Sequence, residues 1–248
     1  MYAVETHALS KDFAGFRAVN NVDLRLEEGV VHALVGPNGA GKTTLFNLLT
    51  GFFAPSSGRL LLFGEDATGL RPDQIAKRGV ARSFQITSLF EHLRVIEHVV
   101  LALQARTDHG YRFWQADASL RRFDARAREL LAEVGLEPLA DRTVQHLPYG
   151  QKRALELALA LAIEPRLLLL DEPTAGMSAA DVQRTIELVA RVRAGRTVVL
   201  VEHNMGVVGE LAANVVVLQQ GAIIAEGRYA DVRHDPAVVA AYLGQVDA

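Results

Sequence analysis

The segment that most constrains the fold is an apolar run followed at once by a glycine-rich turn. Residues 30–35 (VVHALV) have the composition of a buried β-strand, and the next eight residues, GPNGAGKT, fit the pattern G-x-x-x-x-G-K-[ST]. This pattern is found in loops that join a strand to a helix and bind phosphate groups. Its members here are Gly36, Pro37, Asn38, Gly39, Ala40, Gly41, Lys42 and Thr43. A strand, a loop and a helix in this order predict an α/β fold.

The residue types in this loop suit phosphate chemistry. Glycines allow backbone N–H groups to approach phosphate oxygens, and the following helix N-terminus adds a positive dipole end. We expect Lys42 to reach the β- and γ-phosphates of ATP and Thr43 to ligate Mg²⁺, with Thr44 as a further contact to the nucleotide. The alternative is a glycine-rich turn that only caps a helix. The position of the motif directly after a predicted strand favours phosphate binding.

Acidic residues follow a second buried strand. Four leucines at 167–170 end in Asp171 and Glu172, which places two carboxylates at the carboxyl edge of the sheet, where ligands bind in open α/β folds. We expect Asp171 to bind Mg²⁺ and Glu172 to orient or deprotonate the attacking water. His203 follows another apolar strand, 197–201, and is expected at the same edge near the γ-phosphate. An acidic turn before Pro173 and a structural histidine are the alternatives.

The rest of the chain continues the alternation of strands and helices. Strands are predicted at 3–9, 22–26, 60–63 and 80–85, with 60–63 and 80–85 in the first half of the sheet. The region 93–136 has helical periodicity, and its arginines are expected on a solvated face. A helix over 152–163 and a hairpin between 215–218 and 222–225 complete a mostly parallel sheet. We find no internal repeat and no linker, so the helical region is an insertion.

Composition excludes several kinds of protein. The chain is 50% hydrophobic and 22% charged, with a net charge of −3, which disfavours a nucleic acid as the main partner. It contains no cysteine, which excludes disulfides, thiol catalysis and cysteine-bound metals. Neither a signal peptide nor a membrane span is predicted, so we expect any membrane to be reached through a partner.

Several of these motifs, taken together, resemble those of a known family. The phosphate loop, residues 167–173, His203, and a peptide between the two halves of the sheet resemble the ATPases of ABC transporters in order and spacing, over nearly the whole chain. This resemblance implies one ABC ATPase domain over 1–248. Its core and an N-terminal antiparallel β-subdomain would occupy 1–90 and 148–248, and a helical subdomain would occupy about 91–147. The peptide consists of Leu147, Pro148, Tyr149, Gly150 and Gln151.

The resemblance also implies roles for residues that are not informative by themselves. Gln85 resembles the glutamine that senses Mg²⁺ and the membrane partner. Phe13 resembles the aromatic residue that stacks on adenine, with Phe16 as the other candidate. The peptide 147–151 is expected to contact ATP bound to a second subunit. In the family this peptide usually reads LSGGQ, and here Pro148 and Tyr149 replace the serine and the first glycine. That contact therefore lacks a hydroxyl, although Gly150 and the helix N-terminus remain.

Several departures point to one group within the family. The Tyr-Gly-Gln variant, the segment Ala175-Gly176-Met177 and the closing 241–244 resemble ATPases of branched-chain and other hydrophobic amino-acid importers. ATPases for urea import or lipopolysaccharide export stay open as alternatives. Ser178 stands where many relatives have an aspartate, and Asp181 is out of register with it.

The resemblance implies an ATP-hydrolysing subunit that pairs with a second, identical or paralogous ATPase subunit. Membrane permease subunits and, indirectly, a solute-binding protein would complete the transporter, and we expect a peripheral location at the cytoplasmic face of the plasma (inner) membrane. Other hypotheses are a soluble ABC-type ATPase acting on nucleic acid or ribosomes, a P-loop kinase or GTPase, and a regulatory module that binds ATP without hydrolysis. The intact Lys42, Asp171 and Glu172 disfavour the last of these.

Overall fold

A computed structural model describes residues 1–83, 89–105 and 123–243. The β-strands are β1 (Tyr2–Phe13), β2 (Phe16–Glu27), β3 (Val31–Val35), β4 (Ser57–Leu62), β5 (Glu65–Asp66), β6 (Val80–Arg82), β7 (Leu167–Asp171), β8 (Thr197–Val201), β9 (Asn214–Gln219) and β10 (Ala222–Gly227). The α-helices are α1 (Lys42–Leu49), α2 (Pro72–Lys77), α3 (Val95–Ala105), α4 (Asp124–Glu133), α5 (Tyr149–Ala162), α6 (Ala179–Val192), α7 (Met205–Leu211), α8 (Tyr229–Val232) and α9 (Pro236–Leu243).

Within the described residues these strands form two sheets. One is antiparallel, in the order β2-β1-β4-β5, and the other has the order β10-β9-β3-β8-β7-β6. Strands β9 to β6 of the second sheet pair in parallel, and β10 pairs antiparallel with β9. The α/β class, the mostly parallel sheet, the antiparallel N-terminal sheet and the predicted hairpin are thereby confirmed.

Strands of the mixed sheet are covered on both faces, which explains their uninterrupted apolar sequences. In β7, Leu167 and Leu169 belong to the core cluster that includes α1 and the antiparallel sheet. Leu168 and Leu170 belong to the opposite cluster, which includes α3, α4 and α5. The alternation of side chains along a strand therefore sends successive leucines into different cores. The strand ends with Asp171 at the sheet edge.

Helix α1 lies between the two sheets and fixes the loop before it. Its Leu45, Phe46 and Leu49 are fully buried in the cluster formed with the antiparallel sheet. On the other face, helices α3 and α4 lie within the region predicted to be helical. Arg126 and Arg128 are exposed there and pair with nearby carboxylates, as expected for a solvated face.

Two predictions about strands are wrong in detail. The strand predicted over 80–85 ends at Arg82, and residues 84–88 lie outside the described part of the chain. Strands β4 and β6 also lie in different sheets, because β4 pairs antiparallel with β1 whereas β6 pairs in parallel with β7. Helix α2 separates them in sequence. No helix among the described residues combines the length and the apolar character that a membrane span requires.

Candidate active site

The phosphate loop runs from the end of β3 to the start of α1, in contact with two neighbouring backbones. Gly36 has φ +146°, and a Cβ atom there would lie 2.1 Å from the carbonyl oxygen of Leu218. Gly41 has φ +99°, and its Cβ would lie 2.4 Å from the carbonyl oxygen of Ala18. Because neither position has room for a side chain, these glycines are required by packing as well as by the approach of phosphate.

The side chain of Lys42 lies over this loop. Its Nζ donates hydrogen bonds to the carbonyl oxygens of Gly36 (2.7 Å) and Pro37 (2.9 Å). Burial lowers the pKa of Lys42, and the nearby carboxylates of Glu172 and Asp171 oppose that shift. The lysine therefore lies close to both strand-end acids. The motif residues around it differ in exposure: Asn38, Gly39 and Thr43 are exposed and Thr44 is half-buried.

Asp171 is buried and held by an arginine. Its Oδ2 accepts a 2.6 Å hydrogen bond from Nη2 of Arg82, and the carboxylate side chain is 1% exposed. Nη1 of Arg82 donates to Oδ1 of Asn47 on α1, also at 2.6 Å. Nothing in the local sequence around Arg82 predicts this pair, because its partners lie 35 and 89 residues away.

The structure brings Glu172 and His203 together at the same sheet edge. Oε2 of Glu172 lies 3.3 Å from Nε2 of His203, and both side chains are partly exposed. Glu172 has φ +47°, a left-handed conformation that is uncommon for a residue with a side chain, and its N–H donates to the carbonyl oxygen of Val201. This turn directs the chain out of β7 immediately after Asp171. A carboxylate beside an imidazole is an arrangement that can accept and pass on a proton.

Glu202 links the loops that carry these two residues, a role that the sequence does not predict. It is 1% exposed. Its Oε1 accepts hydrogen bonds from the N–H (3.1 Å) and the hydroxyl (2.6 Å) of Thr174. Its Oε2 accepts from the N–H groups of His203 (3.2 Å) and Asn204 (3.4 Å). The only sequence signal was an acid next to a strand-end histidine.

Residues 147–151 form the entry to α5. Leu147 is buried, and Pro148, in an extended conformation, precedes the first turn. Tyr149 is 48% exposed, and its hydroxyl accepts a hydrogen bond from Nε of Arg153. Gly150 and Gln151 are half-buried. The first turn of this helix contains no acidic residue of its own, but Asp181 of α6 lies beside it: a Cβ atom at Gly150 would be 3.6 Å from Oδ1 of Asp181.

Other predicted site residues lie around this centre. Phe13, at the end of β1, is 38% exposed and packs edge-to-face on Phe53 with ring centroids 5.2 Å apart. Phe16 begins β2 and is 65% exposed. Gln85 lies outside the described residues. Ser178 caps α6 through its hydroxyl, which also donates to the carboxylate of Asp181 at 2.7 Å.

An apolar groove of about 320 Å³ lies between the sheet edge and α5. Arg82 and Glu156 are its charged residues, and Leu89 lies at the far end of the segment 84–88. Burial raises the pKa of Glu156, although Arg153 pairs with its Oε2 at 3.0 Å. Oε1 of Glu156 is buried without a hydrogen-bond partner in the described residues. The apolar lining includes Phe52, Ile75, Val80, Leu159 and Ile163.

The oxygen donors at this edge suit a hard divalent cation. Asp171 keeps Oδ1 free of the contact with Arg82, and Thr43 presents an exposed hydroxyl at the first turn of α1. Carboxylate and hydroxyl oxygens, completed by phosphate and water, are the ligands that Mg²⁺ prefers. The fit is therefore consistent with Mg²⁺ bound together with ATP, and not with a metal held by protein ligands alone.

Comparison with known proteins agrees with this geometry. Residues 19–175 match the ABC transporter family, and residues 222–248 match the family described as branched-chain amino acid ATP-binding cassette transporter. The chain is 39% identical to the high-affinity branched-chain amino acid transport ATP-binding protein BraF of Pseudomonas aeruginosa, over 98% of each chain. It is 38% identical to the corresponding protein LivG of Escherichia coli K12, again over 98% of each chain.

A solved structure of an ABC transporter ATP-binding cassette in its ADP conformation superimposes with a TM-score of 0.86. That cassette is 28% identical in sequence, and the match covers 98% of this chain and 99% of the other. The same fold therefore holds a nucleotide in a relative. Together, the phosphate loop, the strand-end acids and the similarity over the full length lead to one conclusion: the chain belongs to the ATP-binding proteins of ABC transporters, within the branched-chain amino acid group, and it is an ATPase.

Proposed function

We propose that this chain hydrolyses Mg-ATP to power the import of branched-chain or other hydrophobic amino acids through a membrane permease. The observation that carries the catalytic part is the 3.3 Å contact between Glu172 and His203, beside a phosphate loop whose Lys42 lies close to the same acids. The solute is inferred from the names of BraF and LivG, which are described as branched-chain amino acid transport proteins.

In this mechanism Glu172 orients the attacking water and takes up its proton. His203 contacts the γ-phosphate and is positioned by Glu202, which holds the backbone N–H of residue 203. Lys42 leaves the loop carbonyls to bind the β- and γ-phosphates. Thr43, Asp171 and Gln85 would hold Mg²⁺, which would neutralise negative charge on the phosphates.

We further propose that each ATP is bound between two ATPase subunits. The start of α5 would approach the nucleotide of the second subunit with Pro148, Tyr149 and Gly150 in front. Its support is the exposed Tyr149 and the N-terminus of α5, where backbone N–H groups and the helix dipole suit a phosphate. Because Pro148 offers no hydroxyl, backbone N–H groups would carry this contact. The second subunit is either identical or paralogous.

The apolar groove between the sheet edge and α5 is the surface we assign to the permease. An amphipathic helix fits a groove of this kind, and the exposed Phe52 and Phe90 (52% and 64%) extend its apolar character to the surface. The groove is lined by Arg82 and Leu89, which stand on either side of Gln85 in the sequence. A permease helix bound in this groove would respond to changes around the nucleotide.

Binding to a membrane permease would place the chain at the cytoplasmic face of the plasma (inner) membrane as a peripheral subunit. A solute-binding protein would act only indirectly.

Two experiments test this function. The Glu172→Gln variant should bind ATP, lose turnover by about a hundredfold or more, and accumulate as a dimer in ATP during size-exclusion chromatography. A Glu172→Gln protein that turns over normally would refute the catalytic assignment.

The tagged wild-type chain should also recover a multi-spanning permease from solubilised native membranes. Recovery of ribosomal or DNA-repair proteins without a permease would instead favour a soluble ABC-type ATPase.

A further inference from the structure

Arg82 connects the two elements that are expected to hold the metal ion. Its guanidinium donates from Nη2 to Asp171 on β7 and from Nη1 to Asn47 on α1, both at 2.6 Å. Asn47 lies four residues after Thr43 on α1, so their side chains share one face of the helix. The arginine therefore ties the carboxylate of the metal site to the helix face that carries the threonine.

The surroundings of Arg82 hold it in this position. Its side chain is 14% exposed, and its guanidinium lies 5.4 Å from the ring centroid of Phe46 and 5.7 Å from that of Phe52. The planar, forked guanidinium can donate to two acceptors at once, which the single ammonium of a lysine does less well. Asp171 is almost fully buried, and an unpaired carboxylate there would carry a large desolvation cost.

We propose that Arg82 is a positioning residue for the metal site. By occupying Oδ2 of Asp171 and contacting α1 through Asn47, it leaves Oδ1 free and fixes the aspartate relative to the helix that carries Thr43. This inference rests on the proposed Mg-ATP site. Removing the partner that orients a metal-binding carboxylate typically weakens metal affinity by about 10- to 100-fold. A competing role, in which Arg82 displaces the metal from Asp171, predicts the opposite sign.

The test measures how much Mg²⁺ strengthens nucleotide binding when no hydrolysis occurs. In the Glu172→Gln background, the Kd of a fluorescent ATP analogue is determined with excess Mg²⁺ and with EDTA. The Kd in EDTA divided by the Kd with Mg²⁺ gives the metal contribution. Arg82→Gln should reduce this ratio about tenfold or more, with the Kd in EDTA unchanged. Arg82→Lys keeps the positive charge but not the forked guanidinium, so its ratio should lie between those of the parent protein and of Arg82→Gln.

A matched control separates this role from a loss of stability. Arg196 pairs with Glu133 at 2.8 Å and is 17% exposed, close to the value for Arg82, but it lies in a different part of the fold. Arg196→Gln should lower the Tm and leave the ratio unchanged. An unchanged or increased ratio in Arg82→Gln, or an equal weakening with Mg²⁺ and with EDTA, would overturn the proposal. If the Glu172→Gln parent binds the analogue equally well with and without Mg²⁺, the metal site itself is refuted, and this inference with it.

Discussion

Oε1 of Glu202 accepts a 2.6 Å hydrogen bond from the hydroxyl of Thr174, which joins the loop after β7 to the end of β8. The first loop carries Glu172, and the second carries His203. Because the other oxygen of Glu202 accepts from the backbone at residues 203 and 204, one buried carboxylate fixes both loops. The distance between Glu172 and His203 therefore depends on a residue that does not contact either side chain's reacting atoms.

Replacing Glu202 by glutamine should uncouple these loops. The amide group cannot accept on both sides, so at least one charge-assisted hydrogen bond is lost, and the free energy of unfolding should fall by about 1.5–3 kcal/mol in a urea titration. We expect kcat to fall about ten- to a hundredfold through misplacement of Glu172 and His203, with little change in ATP affinity. Glu210→Gln, at an exposed position on α7, is the control and should change neither value. Normal turnover in Glu202→Gln would refute the linking role.

The glycines of the phosphate loop should differ in their tolerance of alanine. At Gly36 a Cβ would meet the carbonyl oxygen of Leu218, so Gly36→Ala should destabilise the fold by about 3 kcal/mol and abolish ATP binding. At Gly39 a Cβ meets nothing within 4 Å, but φ is +76°, so Gly39→Ala should cost only about 1 kcal/mol. Thermal unfolding and nucleotide binding check both. Equal effects of the two substitutions would contradict the packing described for this loop.

Phe13 and Phe16 can be distinguished by their contribution to adenine binding. Phe13 is held by Phe53 and lies near the ammonium of Lys11, whereas Phe16 is more exposed. Base stacking on an aromatic ring contributes about 1–3 kcal/mol, so Phe13→Ala should weaken ATP binding about tenfold. Inorganic triphosphate, which has no base, should bind both proteins equally. If Phe16→Ala has the larger effect on ATP, the stacking residue is Phe16.

His32, buried in β3, should make the fold sensitive to acid. Burial lowers its pKa below the ordinary value, opposed by the contact between Nε2 and the carbonyl oxygen of Glu27. The unfolded chain therefore binds a proton more readily, and the stability contributed by the neutral ring is lost as the pH falls below about 6.5. Between pH 7.5 and 5.5 the free energy of unfolding of the wild type should decrease more steeply than that of His32→Asn. The difference in slope should not exceed about 1.4 kcal/mol per pH unit, the value for one proton. Parallel pH profiles would contradict this role of His32.

The parts of the site that the sequence predicts are those encoded locally. The strand, loop and helix around Gly36–Lys42 are contiguous, so the motif can be recognised from neighbouring residues. The packing of Gly36 against Leu218 and of Gly41 against Ala18 cannot be predicted in this way. The same holds for Asp171, because four leucines specify a buried strand and the acids follow directly. His203 follows β8 in the same way. The alternation of apolar strands with helices was sufficient to predict the parallel sheet.

The parts that the sequence does not predict depend on contacts between distant segments. Arg82 reaches Asp171 across 89 residues, and Glu202 reaches Thr174 across 28. Neither pair has a periodicity or motif of its own, since packing of β6, β7 and β8 alone brings them together. Helix α2 has only six residues, too few to establish a helical pattern. Strand β6 has only three residues, too few for an alternating pattern to mark its end, so it was predicted to extend beyond Arg82.

Uptake of labelled leucine by cells of the source organism shows whether ATP hydrolysis by this chain powers amino-acid import. The chromosomal gene would be altered to encode Glu172→Gln, with an immunoblot to establish that the protein is present at its normal level. We expect high-affinity leucine uptake to be lost in this strain, while uptake of an unrelated sugar is unchanged. Leucine, isoleucine and valine uptake at the wild-type rate, with the altered protein present, would contradict the claim that ATP hydrolysis by this chain powers the import of branched-chain amino acids.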